Sequence, residues 1–180
     1  VSPQPNGSAI APWPLLVAWA CLAGLVLINL PAFLCMGLDS DVSMYDLLAR
    51  RVMLGEVHYR DLLETNFPGI VWLHMLIRAV IGWRSEALRA VDLLIVASSA
   101  GLRVSWIPRP SPSWRRVALL GALLAFYLST SEWSHCQRDV WMLLPALLAL
   151  RLRARQADRL RNHEGTFGEL AVWAFGEGMV

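Results

Sequence analysis

The sequence predicts an all-α membrane protein with about four transmembrane helices and interfacial helices in its first polar loop. Three observations lead to this fold class. Hydrophobic residues make up 56% of the 180 residues, only 17% are charged, and the mean hydropathy is +0.46. Soluble domains contain about 25% charged residues, so this composition indicates the bilayer. The apolar residues are gathered in runs between polar segments, and nine tryptophans suit the membrane–water interface.

The charge balance argues against a nucleic-acid-binding protein. The formal net charge is +2, and no basic patch alternates with stacking aromatic residues. The three cysteines, Cys21, Cys35 and Cys136, are odd in number and lack metal-ligand spacing. We therefore expect them to be packing residues, with a disulfide or a ligand role as the less favoured alternatives.

The N-terminal part predicts a lead-in followed by the first membrane helix. Residues 1–13 are uncharged and rich in Pro, Ser, Asn and Gly, which predicts a disordered segment. Pro14–Leu34 contains 21 residues without a charge, and about 20 apolar residues suffice to cross a bilayer. A signal peptide is the alternative, but its apolar core has about 7–15 residues and follows a positive flank. The pattern therefore favours a retained span.

Residues 38–87 form the first polar loop. Within it, Ile70–Ile81 is apolar, but its 12 residues are too few to cross a bilayer about 30 Å thick. His74 and Arg78 lie four positions apart and thus on one helical face. We expect an amphipathic helix that lies in the membrane interface. The first polar loop also holds half of the 14 acidic residues of the chain, namely Asp39, Asp41, Asp46, Glu56, Asp61, Glu64 and Glu86.

Three further apolar runs predict the remaining spans. They are Leu88–Trp106, Val117–Thr130 and Val140–Leu152. Residues 131–139 form a second polar loop, and residues 14–155 together make the predicted transmembrane part. Residues 156–180 are predicted to be a basic cytoplasmic tail, whose structure the pattern leaves open.

The arginines orient these spans, because cytoplasmic loops of membrane proteins carry an excess of basic residues. The turn after the second span and the segment after the fourth span are both basic. Both polar loops are then predicted to face the periplasm, on the other side of a bacterial inner membrane. The arginines that mark the cytoplasmic side are Arg103, Arg109, Arg115, Arg116, Arg151, Arg153, Arg155, Arg159 and Arg161.

The two polar loops carry several motifs in a fixed order. Asp41 is followed by Tyr45 four positions on, and LLARRVMLGEVHYRD then supplies the Tyr-x-Asp step of Tyr59 and Asp61. A Pro-turn and an apolar helix follow in NFPGIVWLHMLIRAVIG, an arginine-bearing helix start in EALRAVDLL, and a second acidic loop in SHCQRDVWMLLPALLALRLR. Over residues 14–155, this order and spacing resemble the start of the GT-C glycosyltransferases. This polytopic membrane superfamily includes protein O-mannosyltransferases and the aminoarabinose transferase of lipid A.

The resemblance implies transfer of a sugar from a polyprenyl-phosphate carrier to a periplasmic lipid, glycan or protein acceptor. Asp41 is the expected general base for the acceptor hydroxyl, and Asp139 is a second acid that orients the acceptor or tunes Asp41. Arg138 is expected to stabilise the leaving phosphate. The lipid-linked sugar is a substrate, and no cofactor is implied. The other residues predicted to bind substrate are Asp39, Tyr45, Tyr59, Arg60 and Asp61.

The sequence departs from the family's pattern at two places. Many relatives have Asp-Glu where this chain has Asp41 followed by Val42. The lipid A branch carries a Lys before its Pro pair, where this chain has Asn66-Phe67-Pro68. A role of that Lys in holding a lipid phosphate is therefore not carried over, and Arg60 or Arg138 is the substitute that we consider.

Several site residues have simpler interpretations. Asp41 is also placed to cap the helix that follows it, because an Asp at a helix start accepts backbone N–H bonds. Asp39-x-Asp41 resembles the metal-binding Asp-x-Asp of nucleotide-sugar transferases, but two carboxylates alone make a weak metal site. A divalent metal is thus the less favoured alternative. Tyr59 and Asp61 suit a role in fixing the loop better than a role in the reaction.

The alternative function is that of a non-catalytic integral membrane protein, such as a transporter piece or an assembly subunit. Transporters place ionisable groups within their spans, near the midplane. Most charges here lie in the loops, with Asp92 and Arg103 near the span ends, which favours the enzyme. Because GT-C relatives have many more spans, we expect this chain to be an N-terminal fragment that is truncated or inactive by itself.

Overall fold

The computed structural model describes residues 12–62, 67–108 and 111–162. Within these ranges the chain is helical, with a 3-10 turn at Glu132–Ser134 and no strand, which confirms the all-α class. The α-helices are α1 (Trp13–Cys35), α2 (Ser40–Met53), α3 (Gly69–Ile81), α4 (Ser85–Val104), α5 (Ser113–Leu128), α6 (Arg138–Trp141) and α7 (Leu143–Arg161).

Among the described residues, α1 is the one helix long and apolar enough to cross a membrane. It has 23 residues and carries Pro14 in its first turn. A proline suits that position, because the N–H that it lacks would have no helical partner there. Only Leu22 and Phe33 of α1 are buried in the protein. Judged by helix length and composition, only α1 qualifies among the described residues, so the prediction of four membrane helices is not confirmed.

The other predicted spans coincide with helices whose ends differ from the prediction. Ser85–Val104 contains four ionisable residues, and Ser113–Leu128 has only 16 residues. The fourth run is divided at Met142 into α6 and α7. Pro145 explains this division, because its ring would clash with the carbonyl of Trp141 in a continuous helix. It occupies the first turn of α7 instead, where a missing N–H is tolerated.

The two ends of the chain are described in part. The predicted lead-in has only its last two residues in the described ranges, and Trp13 already begins α1. The predicted basic tail begins inside α7, which continues to Arg161. Residues 1–11 and 163–180 lie outside the described residues, as do residues 63–66 and 109–110.

Helices α2 and α3 form a hairpin with its own hydrophobic core, which also contains residues of α4 and of the second polar loop. The first polar loop is therefore a packed helical unit. Helix α3, predicted to lie in the membrane interface, buries His74 and Arg78 inside this unit. The buried core residues are Val42, Tyr45, Leu48, Ala49, Leu62, Ile70, Val71, Leu88, Cys136 and Trp141.

Helices α1, α4 and α5 form a second core. Val140 packs against both cores and so links them at the end of the second polar loop. Cys136 is buried, whereas Cys21 and Cys35 are exposed on α1, and all three thiols are free. The buried residues of the second core are Leu22, Phe33, Val96, Val117, Leu124, Tyr127 and Leu128.

Candidate functional site

The two polar loops meet at the start of α2. Asp39 is the N-cap residue of α2, and its Oδ2 accepts a hydrogen bond from the backbone N–H of Asp41 at 3.0 Å. The same oxygen accepts from Nε2 of Gln137 at 3.2 Å, across 98 positions of sequence. Gln137 directly precedes Arg138 and Asp139. The structure therefore brings the first acidic segment next to the second, as the candidate site requires.

The buried side chain of Arg89 holds the junction between the two polar loops in place. The Arg89 side chain is fully buried, and its Nε donates to the carbonyl of Met36 at 2.9 Å. Its Nη2 donates to the carbonyl of Gly37, and its Nη1 lies 3.2 Å from Nδ1 of His135. The chain between α1 and α2 is thus tied through α4 to the second polar loop. The ring of Phe33 packs against the Arg89 side chain, with the ring centre 5.3 Å from the guanidinium carbon.

A second buried group lies one helical turn along α4. Asp92 is fully buried, and its two carboxylate oxygens accept from Tyr127 Oη and from Trp141 Nε1, each at 2.7 Å. These bonds join α4 to α5 and α6. Since both oxygens have a donor, the carboxylate is satisfied inside the protein and acts as a cross-link between three helices.

The α2–α3 hairpin contains a third buried cluster. Asp46 Oδ1 accepts from His74 Nδ1 at 2.8 Å and from Arg78 Nε at 2.9 Å, and Oδ2 accepts from Arg78 Nη2. Burial by itself raises the pKa of Asp46, but the hydrogen bonds from His74 and Arg78 outweigh it and hold that pKa below its usual value. Arg78 Nη1 also donates to the carbonyls of Gly82 and Arg84, at 3.1 and 2.7 Å. The arginine thus fixes both α2 and the turn into α4.

An apolar cleft of about 720 Å³ opens beside the second polar loop, between α3 on one side and α6 and α7 on the other. Arg138 supplies the one charged side chain of its lining, and 43% of that side chain is exposed. This volume is typical of a pocket for a small ligand. The lining residues are Phe67, Gly69, Ile70, Leu73, Arg138, Trp141, Met142 and Pro145.

The two predicted catalytic carboxylates lie on the surface. Asp41 is exposed in the first turn of α2, and the residue that caps this helix is Asp39. The alternative interpretation of Asp41 as the helix cap is therefore wrong. Asp139 is 84% exposed, and its Oδ1 lies 3.2 Å from Nε of Arg138. Both carboxylates are accessible from outside, as a group that accepts a proton from a substrate must be.

The remaining predicted residues have structural contacts. Tyr45 is buried, and its ring packs edge-on to His74 with centres 5.9 Å apart. Asp61 Oδ2 accepts from the backbone N–H of Val57 at 2.8 Å and lies 2.8 Å from Nη2 of Arg60. The hydrogen bond from Arg60 and then that from Val57 hold the pKa of Asp61 below its usual value. Tyr59 between them is 55% exposed with a left-handed φ of 66°.

Sequence reasoning missed the buried polar residues that hold the site together. Asp46, Arg89, Asp92 and His135 were not predicted to carry a role. Arg89 and Asp92 lie three positions apart in an apolar run, a spacing that places both on one face of a helix. An ionisable pair at that spacing inside a predicted span was the signal that could have identified them.

The described residues contain no group of three or more His, Cys, Asp or Glu side chains placed to hold a metal ion. One oxygen of Asp39 is already engaged by the α2 backbone and by Gln137. Comparison with protein-family models, with curated proteins and with solved structures finds no match to this chain.

Proposed function

We propose that this chain carries the two acidic loops of a membrane glycosyltransferase of the GT-C type. It transfers a sugar from a polyprenyl-phosphate carrier to a lipid, glycan or protein acceptor at the periplasmic face of a bacterial inner membrane. The observation that carries the proposal is the apolar cleft with Arg138 in its lining, beside the contact that joins the two acidic loops.

The cleft has the chemistry that a prenyl phosphate needs. Its walls are aliphatic and aromatic side chains such as Ile70, Leu73 and Trp141, which favour contact with an isoprenoid chain. Arg138 supplies a guanidinium, which binds phosphate oxygens with charge-assisted and often paired hydrogen bonds. An apolar chain and a phosphate are the two parts of a polyprenyl-phosphate donor.

The transfer reaction also needs a base for the acceptor hydroxyl, which the acidic side chains supply. Breaking the bond between the anomeric carbon and the phosphate oxygen leaves an anionic phosphate, which Arg138 stabilises. The acceptor hydroxyl loses its proton to a carboxylate as its oxygen bonds to the anomeric carbon. Asp41 is our candidate base, and Asp139, paired with Arg138, orients the acceptor.

Four membrane spans are part of this proposal. The charged residues of α4 lower its mean hydropathy. Two of them, Arg89 and Asp92, nevertheless point inward and are hydrogen-bonded within the protein. Intramembrane charges are tolerated when they are paired in this way. Large apolar side chains face outward from α4 and α5, for example Leu94 on α4, which is 67% exposed, and Phe126 on α5, which is 73% exposed. A bilayer would cover them.

The test is binding of the carrier lipid to the purified chain in detergent. A polyprenyl phosphate and the matching polyprenol, which lacks the phosphate, are compared by native mass spectrometry. The phosphate is expected to bind roughly tenfold tighter, since a hydrogen bond to a charged group contributes about 1.5–3 kcal/mol. Arg138→Gln is expected to abolish the difference. Arg84→Gln, at a side chain that is 81% exposed, is the matched control. Equal binding of phosphate and alcohol by the wild-type chain would contradict the proposal.

A second candidate function is that of a non-catalytic membrane subunit, which a groove between α1 and α5 favours. This groove also measures about 720 Å³, and its α5 wall contains Ala118, Gly121, Ala122 and Ala125, with Trp114 at one end. Small residues let another membrane helix approach closely. The outcome that would favour this function is a chain that binds neither lipid yet keeps a partner helix through purification.

A further inference from the structure

Cationic side chains from three helices converge at the turn between α4 and α5. Arg103 lies in the last turn of α4, Arg116 in the first turns of α5 and Arg151 in α7. Each of them contacts residues 105–107, which follow α4 directly. This end of the helices is opposite to the one that carries the two polar loops.

Two of these arginines bind the turn itself. Arg116 Nη2 donates to the carbonyl of Ile107 at 3.4 Å. Arg151 Nη1 donates to Oγ of Ser105. Ser105 Oγ in turn donates to the carbonyl of Leu102 at 2.7 Å. The two guanidiniums are therefore held at a defined place, although their helices are far apart in sequence.

Trp106 completes the group. Its ring centre lies 5.6 Å from the guanidinium carbon of Arg103, at cation–π distance. We call Arg103, Trp106, Arg116 and Arg151 the arginine turn.

The arginine turn contains two N–H donors without an acceptor. Trp106 Nε1 and Arg116 Nε are shielded from solvent, and neither has a hydrogen-bond partner in the part of the chain that the structure describes. A buried donor without a partner is unfavourable, so an anion that reaches either donor would gain a hydrogen bond there.

The surrounding sequence offers no anion to these groups. No Asp or Glu occurs between Asp92 and Glu132, or between Asp139 and Asp158. Three cationic side chains and two unpaired donors thus share one place without a nearby carboxylate in their own segments. Such a place has the chemistry of an anion site.

We propose that the arginine turn binds the phosphate of an anionic phospholipid headgroup. The indole of Trp106 suits the headgroup depth of a bilayer, where tryptophan is enriched, and arginines at that depth attract anionic lipids. Trp114 and Arg115, paired at 5.5 Å, continue the same surface at the start of α5. The inference rests on the membrane placement proposed above and is independent of sugar transfer.

The test uses the full chain in detergent, with phosphatidylglycerol, phosphatidylcholine and inorganic phosphate as three separate probes. Native mass spectrometry measures their affinities. Phosphatidylglycerol is expected to bind best, and each arginine removed is expected to weaken it roughly fivefold. The variant is Arg103→Gln with Arg116→Gln, and the control with the same charge change is Arg50→Gln with Arg84→Gln. Preference for free phosphate over the lipid, or equal loss in variant and control, would overturn the proposal.

Trp106→Phe tests the indole N–H, because it removes this unpaired donor together with part of the ring and keeps an aromatic side chain. Without lipid, the variant is expected to keep the wild-type fold, because removal of an unsatisfied donor offsets the loss of ring area. Its affinity for phosphatidylglycerol is expected to fall roughly tenfold. A variant with unchanged lipid affinity would show that the indole N–H does not contact the headgroup and would overturn this geometry.

Discussion

Arg89 and His135 contact each other in the protein interior, with 3.2 Å between Nη1 and Nδ1. A guanidinium can only donate hydrogen bonds, so Nδ1 of His135 accepts and the imidazole is neutral. Its hydrogen is therefore on Nε2, which donates to the carbonyl of Tyr127 at 3.1 Å. One arginine thus sets the tautomer of a histidine in the second polar loop while it holds the first polar loop by backbone carbonyls.

Removing this arginine is expected to destabilise the protein. In Arg89→Met, the carbonyls of Met36 and Gly37 and the imidazole of His135 lose their donor inside the protein. We expect a loss of about 3 kcal/mol in the free energy of unfolding in detergent, because unsatisfied buried acceptors are costly. Arg84→Met is the control, at an exposed position of the same helix start. A variant as stable as this control would show that the carbonyls find other donors.

Asp46 is expected to make stability depend on pH. The pKa of Asp46 in the folded protein lies below its usual value, so its contribution is complete above about pH 4 and is lost as the pH falls through the folded pKa. Asp46→Asn is expected to lose about 3–5 kcal/mol near neutral pH, because His74 and Arg78 then lack their carboxylate. Urea unfolding at several pH values should show this difference shrinking in acid. Asp158→Asn, at a largely exposed carboxylate, should differ little from the wild type at any pH.

The bonds to Asp92 are expected to be coupled. Trp141→Phe removes one donor and leaves a buried carboxylate oxygen unpaired, at a cost of about 2 kcal/mol. Trp133→Phe, at a side chain that is 73% exposed, is the control. Adding Tyr127→Phe removes the second donor and should destabilise further. Adding Asp92→Leu to that double variant should recover part of the stability, because the buried carboxylate without its side-chain donors is then removed. Further loss in the triple variant would contradict the role of Asp92 as a cross-link.

Asp41→Asn is expected to affect activity and leave stability unchanged. A positioned general base contributes about 10²–10⁴-fold to a rate, so sugar transfer from a polyprenyl-phosphate donor by the full-length enzyme in membranes should fall by that factor. The stability change should stay within about 0.5 kcal/mol, as for other surface substitutions. Asp158→Asn is the control. If Asp41→Asn retains full activity while Asp139→Asn does not, Asp139 is the base.

The sequence predicts the helices more closely than their contacts. The first span is predicted at Pro14–Leu34, and a helix is observed at Trp13–Cys35. The short apolar helix is predicted at Ile70–Ile81 and observed at Gly69–Ile81. Uniform apolarity and apolar periodicity are local properties that a sequence displays directly. The predicted continuous run Val140–Leu152 misses the break at Met142, which Pro145 explains.

The buried pairings lay beyond sequence reasoning for a physical reason. Asp46 meets Arg78 across 32 positions, and Arg89 meets Met36 across 53. A sequence shows which residues are charged, but the choice of partner depends on how the helices pack. The spacing of His74 and Arg78 correctly placed them on one helical face, yet their common partner became visible only in the folded hairpin.

The contacts of Arg89 also bear on biosynthesis. The carbonyls of Met36 and Gly37 are synthesised 53 and 52 residues before the side chain that binds them, and His135 is synthesised 46 residues after it. The junction between α1 and α2 therefore gains its native hydrogen bonds only when α4 has left the ribosome. The hydrogen bond from Arg89 to His135 is added when the second polar loop emerges. The native hydrogen bonds at this junction therefore form only after Arg89 has been synthesised, and a nascent chain that ends before residue 89 lacks the donor for the carbonyls of Met36 and Gly37.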